Sequence, residues 1–129
     1  MALADIDRAA ASRAAAASRS DKAHAMSLDA SKPEDLGRAM QGCDLVVNAA
    51  LPRFNQGLKA ACLAQGLDYM DLATESSDPF VDSDLWTARG RTALLGMGED
   101  PGMSDVFARH AADGMDRVDS IRIRDGDTG

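Results

Sequence analysis

The residues from Asp44 to Glu75 constrain the fold of this chain more than any other stretch. Leu45, Val46 and Val47 form a short apolar run with β-branched members, as expected of a parallel strand covered on both faces. The run ends in Asn48-Ala49-Ala50-Leu51-Pro52, small and polar residues at the strand's carboxyl end. In open parallel sheets, ligands bind in the crevice beyond such ends. Leu58, Ala61, Cys62 and Gln65 then follow at helical spacing, and Gly66 stands where a C-terminal cap belongs. Asp68-Tyr69-Met70-Asp71-Leu72 reads as the next strand. The whole is a βαβ unit.

Composition fits such a unit. The chain has 129 residues, enough for one modest domain with a core. Hydrophobic residues make up 45%, much of it alanine, and aromatics only 4%. That suits helices packed closely on a sheet and argues against an all-β sandwich. A net charge of −7 argues against a nucleic acid or an anionic membrane as partner, since both need a basic surface. No run approaches the roughly eighteen apolar residues that span a bilayer. No basic region followed by an apolar core marks the N-terminus as a signal peptide. The expectation is a soluble, cytoplasmic protein. Cys43 and Cys62 lack the spacing of metal ligands and read as free thiols.

Met1 to Arg8 reads as the end of a strand with Asp5 at its tip, leading into an alanine-rich helix from about 7 to 18. An acidic residue there accepts hydrogen bonds from the adenosine ribose in dinucleotide-binding folds. Asp5 or Asp7 serves equally well as a helix N-cap. Residues 22–28 form a weak strand. Asp29 stands at its carboxyl end, as a cap or beside an adenine. Ser31 and Pro33 then open a short helix to Met40. Beyond Glu75 comes a polar stretch, followed by a helix over 80–91 that carries Trp86, expected in the core or against a partner domain.

Residues 92–96 are the next buried strand. They run into Met97-Gly98-Glu99-Asp100-Pro101-Gly102 and a helix over 104–113. A glycine-containing turn between strand and helix can aim backbone N–H groups at a ligand, but Glu99 and Asp100 would repel a phosphate. His24 and His110 are isolated and read as surface or packed residues. Val118, Ile121 and Ile123 alternate with Arg122 and Arg124, the pattern of a half-exposed strand in a different sheet. Residues 1–115 therefore read as one Rossmann-like domain and 116–129 as the first strand of a second, a substrate or dimerisation domain.

Three segments carry a resemblance. Asp44 to Pro52, followed by Asn55 and Ala60-Ala61-Cys62-Leu63, is the first. Gly66-Leu67-Asp68-Tyr69-Met70-Asp71 and Ala93 to Ser104 are the others, the last containing Asp100-Pro101-Gly102. Together they resemble the saccharopine dehydrogenase family, whose members include saccharopine reductases, lysine dehydrogenases and carboxynorspermidine synthases. The resemblance covers roughly residues 5–123. Family members open with a strand and a GxGxxG turn, and no such sequence precedes Asp5. The expected fold is thus α/β, a partial Rossmann-like parallel sheet flanked by helices and lacking the first strand and Gly-rich turn. The chain reads as a piece of a larger enzyme, apparently truncated at both ends.

The resemblance implies an NAD(P)-dependent oxidoreductase acting on the C–N bond of an amino-acid or polyamine-related secondary amine. A homodimer is possible for the full-length form. By position, Asp5 would take the ribose hydroxyls, favouring NAD slightly over NADP, a preference that Arg8 weakens. Asp29 would lie by the adenine. Asn48, Ala49 and Pro52 would line the nicotinamide side, with Asp71 and Thr74 at the next strand end. Gly98, Pro101 and Gly102 would shape the floor towards the substrate. No catalytic acid or base is assigned, and the chain alone is expected to be inactive. The alternative is a non-catalytic α/β fragment that binds a nucleotide or a partner chain.

Overall fold

Every strand in this computed structural model that finds a partner finds it in parallel. The structure describes residues 1–74 and 78–126, so Glu75, Ser76 and Ser77 and the last three residues lie outside it. The order is β1 (Ala2–Asp5), α1 (Arg8–Ala17), β2 (His24–Ser27), α2 (Pro33–Ala39) and β3 (Leu45–Asn48). A 3₁₀ turn (Pro52–Phe54) leads to α3 (Asn55–Gln65), β4 (Asp68–Asp71), α4 (Ser83–Ala88), β5 (Ala93–Leu94) and α5 (Met103–Asp113). The predicted βαβ unit is present, and Gly66 ends α3 with φ of 68°, a left-handed conformation that costs glycine nothing.

The sheet is in two pieces. β1 pairs with β2, and β3, β4 and β5 form a separate three-stranded sheet in that order. Both pieces are parallel, as expected of a partial Rossmann-like sheet flanked by helices. Helix α1 packs on the first pair; α2 packs on α3, which lies against β3 and β4.

Registered residues share a face, so Val46, Asn48, Tyr69, Asp71 and Ala93 point the same way. That face carries the core: Leu36, Met40, Leu58, Cys62, Leu67, Tyr69 and Trp86 cluster there. Trp86 is buried as expected, its ring centroid 6.3 Å from that of Tyr69. The Lys59–Asp82 ion pair at 3.0 Å and the Arg89 guanidinium, donating to the Leu63 carbonyl at 2.7 Å, tie α4 to α3. The opposite face carries Leu45, Val47, Leu72 and Leu94, each 39–49% exposed.

Two elements differ from expectation. The helix predicted over 80–91 is only Ser83–Ala88, because Pro79 to Asp82 form a turn that leaves Phe80 and Val81 exposed. The alternating residues from Val118 to Arg124 form no strand. Alternation prepares a strand, but a ladder needs a partner edge, and neither sheet supplies one. Val118, Ile121 and Ile123 instead line a groove of about 600 Å³ with Met103 and Phe107 of α5.

Candidate functional site

The carboxyl ends of β3 and β4 meet in a network of buried polar side chains. Asn48, which is 4% exposed, ends β3 and stands in register with Asp71, 1% exposed, at the end of β4. Asn48 Nδ2 donates to Asn55 Oδ1 at 2.6 Å, and Asn48 Oδ1 accepts from the Ala50 N–H at 2.9 Å. Asn55 Nδ2 donates to the Ala73 carbonyl at 2.8 Å. The Tyr69 hydroxyl lies 3.0 Å from Asn55 Oδ1 and 3.2 Å from Asp71 Oδ2, so its one proton can go to either acceptor. Asp71 Oδ1 accepts the Gly96 N–H at 2.7 Å, and the Asp71 carbonyl accepts the Met97 N–H at 2.9 Å.

These bonds join the loops that follow β3, β4 and β5. No buried side-chain nitrogen or oxygen among the described residues lacks a partner. Burial favours the neutral phenol of Tyr69, and the adjacent Asp71 carboxylate adds to the effect, so its pKa is well above the ordinary range.

The glycine loop after β5 is shaped by close backbone contacts. A Cβ on Gly98 would stand 2.3 Å from the Leu72 carbonyl oxygen, and one on Gly102 would stand 2.4 Å from the Gly98 oxygen. Gly102 also has φ of 128°, which an L side chain rarely adopts. The loop closes on itself through Gly98 N–H to the Pro101 carbonyl at 3.0 Å and Met103 N–H to the Gly98 carbonyl at 2.9 Å. Those two N–H groups are thereby spent within the loop. Asp105 accepts from the Gly102 N–H at 3.2 Å, so a carboxylate also occupies the start of α5.

Asp5 and Asp29 lie together at the carboxyl end of the other sheet. Asp5 is exposed, and its Oδ1 accepts the Asp7 N–H at 2.8 Å. Asp7, not Asp5, caps α1 by accepting the Ala9 N–H at 2.8 Å. Asp29 is half-buried and accepts from the Ser31 hydroxyl at 2.6 Å and the Ser31 N–H at 3.0 Å. The Ser31 hydroxyl and N–H, with Lys32 Nζ 3.6 Å away, hold its carboxyl below the ordinary range. It braces its own turn, since α2 has no side-chain cap.

The residues expected to bind thus fall into two groups. Ala49, Pro52, Thr74, Gly98, Pro101 and Gly102 surround the Asn48–Asp71 network, with Thr74 beside Gly96. The side chains of Asn48 and Asp71 themselves turn inward and are used in internal bonds. Asn55 and Tyr69 are the network members that the sequence reading named within the resembling segments but did not assign to the site. Their signal was a polar residue starting a helix and a hydroxyl placed mid-strand between apolar neighbours. Arg53 adds a cation at this rim, stacked 4.8 Å over the Phe54 ring.

These features suit part of a dinucleotide: an exposed carboxylate for ribose hydroxyls and a small-residue rim for a flat ring. They do not suit a pyrophosphate, because carboxylates occupy the starts of both α1 and α5.

The parallel sheets with flanking helices define a Rossmann-like α/β domain. Comparison with known proteins specifies it further: the saccharopine dehydrogenase NADP binding domain matches residues 1–94. The chain belongs to that family, and its cofactor class is NAD(P). It is 37% identical to carboxyaminopropylagmatine dehydrogenase from Synechocystis sp., across 71% of this chain and 26% of that protein. It is 33% identical to carboxynorspermidine synthase from Vibrio cholerae, across 67% and 25%. The chain therefore spans about a quarter of the length of these relatives. Apo histidine-tagged saccharopine dehydrogenase (L-Glu forming) from Saccharomyces cerevisiae shares the fold, with a TM-score of 0.71, 21% identity, and 88% of this chain and 25% of that one covered. No helix among the described residues is long and apolar enough to cross a membrane.

Proposed function

We propose that this chain supplies the cofactor-facing part of an NAD(P)-dependent oxidoreductase that acts on the C–N bond of a carboxylated, polyamine-type secondary amine. The observation that carries the reading is the crevice rim, where the Asn48–Asn55–Tyr69–Asp71 network joins three strand ends below exposed small residues. The names of two relatives supply the substrate class. The cofactor supplies the hydride; the chain's residues bind and orient.

In this reading Ala49 and Pro52 line the nicotinamide side, Gly98 and Gly102 bring backbone close to the substrate side, and Asn48 and Asp71 shape the rim from below. Asp5 accepts from the adenosine ribose, which favours NAD over NADP, and Asp29 stands near the adenine. Residues 116–126 lead towards a second domain, where the acid and base of the reaction lie.

Saturation-transfer NMR of the chain with NADH and with NADPH tests the reading. Weak contacts are expected for the ribose and nicotinamide protons, stronger for NADH and reduced by Asp5→Ala. The absence of any transfer at millimolar cofactor would count decisively against it. Oxidation of carboxynorspermidine, followed as NAD(P)H absorbance with the chain joined to its substrate domain, tests the reaction itself.

A further inference from the structure

The segments that leave the carboxyl ends of β3, β4 and β5 are residues 49–54, 72–82 and 95–102. Arg53 is their only Lys, Arg or His, and the rest of their charge is acidic. Glu99 and Asp100 are exposed on the glycine loop. Lys59, the next cation along the chain, is spent on Asp82 at 3.0 Å. An anionic group arriving at these three strand ends thus finds one cation here to pair with, among acids that repel it elsewhere.

Arg53 is placed for that contact. It lies in the 3₁₀ turn Pro52–Phe54, directly after Pro52. Its guanidinium carbon stands 4.8 Å from the centroid of the Phe54 ring. Phe54 is half-buried and packs against the core cluster, so the ring is an anchored seat. A guanidinium held on a ring face keeps its N–H fork for a second partner. Among the described residues that fork donates no hydrogen bond and joins no ion pair. Arg38, Arg109 and Arg117, in contrast, each pair with an acid two to four residues away.

We propose that Arg53 selects the substrate by its carboxylate, taking the carboxyl group of the carboxylated amine on its guanidinium. The assignment rests on the reading of the chain as part of an amine oxidoreductase. The planar fork matches the two oxygens of a carboxylate, so the pair fixes orientation as well as charge. An amine without the carboxyl group gains nothing from Arg53 and is repelled by it. The phosphates of the cofactor share the anionic chemistry, and kinetics separates the two sources.

The experiment uses the enzyme in which the chain is joined to its substrate domain. Arg53→Gln is expected to raise KM for carboxynorspermidine about tenfold or more, with kcat changed less than about threefold. Arg53→Lys keeps the charge but not the fork and is expected to recover part of the loss. KM for NAD(P)H is expected to stay within about twofold, because the pair is made with the substrate. Inhibition by norspermidine, the same amine without its carboxyl group, should not weaken in Arg53→Gln.

Three results would overturn the proposal. One is an unchanged KM for carboxynorspermidine in Arg53→Gln. Another is an equal weakening of norspermidine inhibition, which would mean a general disturbance of the crevice. The third is a rise confined to KM for NAD(P)H, which would give Arg53 to the cofactor's phosphates. Calorimetric binding of the two amines keeps the two readings apart if the wild-type enzyme oxidises neither. Carboxynorspermidine affinity that falls in Arg53→Gln, with norspermidine affinity held, would sustain Arg53 while the oxidoreductase reading fails. Affinities that do not change would overturn the role of Arg53 as well.

Discussion

Tyr69 and Asp71 show how much of the fold's stability rests on single polar atoms. Both are almost fully buried, and Asp71 accepts from two donors, the Tyr69 hydroxyl and the Gly96 N–H. Asp71→Ala strips the buried Gly96 N–H of its acceptor, while the Tyr69 hydroxyl can still donate to Asn55 Oδ1, and is expected to cost about 2–3 kcal/mol in urea unfolding. Tyr69→Phe leaves Asn55 Oδ1 its Asn48 donor and Asp71 Oδ1 its Gly96 donor, removes the hydroxyl from Asp71 Oδ2, and is expected to cost about 1–2 kcal/mol. Equal losses would show that the network does not centre on the carboxylate.

Gly98 makes a steric counterpart. Its missing side chain lets the Leu72 carbonyl approach to where a Cβ would stand 2.3 Å away, so Gly98→Ala forces backbone movement. A loss of about 3 kcal/mol is expected by thermal unfolding, and a loss below about 1 kcal/mol would mean that the loop relaxes freely. Asn48 and Asp71 were readable as polar residues at strand ends. That their side chains turn inward was not readable. Which way a strand-end residue points depends on which face the helices cover.

Among the elements, α3 is the best determined by local chemistry. It carries apolar residues at helical spacing, a left-handed glycine at its end, and one position at odds with its propensity, Gly57. Nothing lies within 4 Å of a Cβ built there. Gly57→Ala is expected to raise stability by about 0.5–1 kcal/mol, because alanine restricts the unfolded chain and fits the helix. Circular dichroism melting checks this, and a drop in melting temperature would reveal a close neighbour in solution. The segment from Val118 to Arg124 is the opposite case. Its alternation is as clean as that of any strand in the chain, yet it pairs with nothing among the described residues. Side-chain pattern sets which face a strand would bury. A partner edge decides whether there is a strand.

At the scale of the whole molecule, the buried Cys62 thiol and Tyr69 phenol are held in their neutral forms, and this sets an alkaline limit. Burial, helped by the neighbouring Cys43, pushes the Cys62 thiol from 9.0 up to about 11. Below pH 9 the thiol is protonated in both folded and unfolded chains and contributes no slope. Between pH 9 and 11 the unfolded chain releases the proton and the folded chain retains it, so stability falls as pH rises. The expected loss is about 2–3 kcal/mol by pH 11. Tyr69, whose ordinary value is 10.0, steepens the fall above pH 10, because its phenol is also held neutral. Urea midpoints from pH 7 to 11 test this. In Cys62→Ala the fall should begin nearer pH 10, and an unchanged onset at pH 9 would remove the thiol from the account.

By itself the sequence determined what local physical chemistry governs. The apolar runs of β3 and β5, the alanine helix, the cap at Gly66 and the small-residue turn at Asn48 are each decided by residues within a few positions of one another. Only the tertiary structure decided that β1 and β2 form one sheet and β3, β4 and β5 another, that Asn55 and Tyr69 complete a network with Asn48 and Asp71, and that one face of β3 to β5 remains half exposed. These features join residues far apart in the chain. Burial, pairing and hydrogen-bond closure belong to pairs of surfaces, and a single stretch of sequence specifies only one surface of each pair.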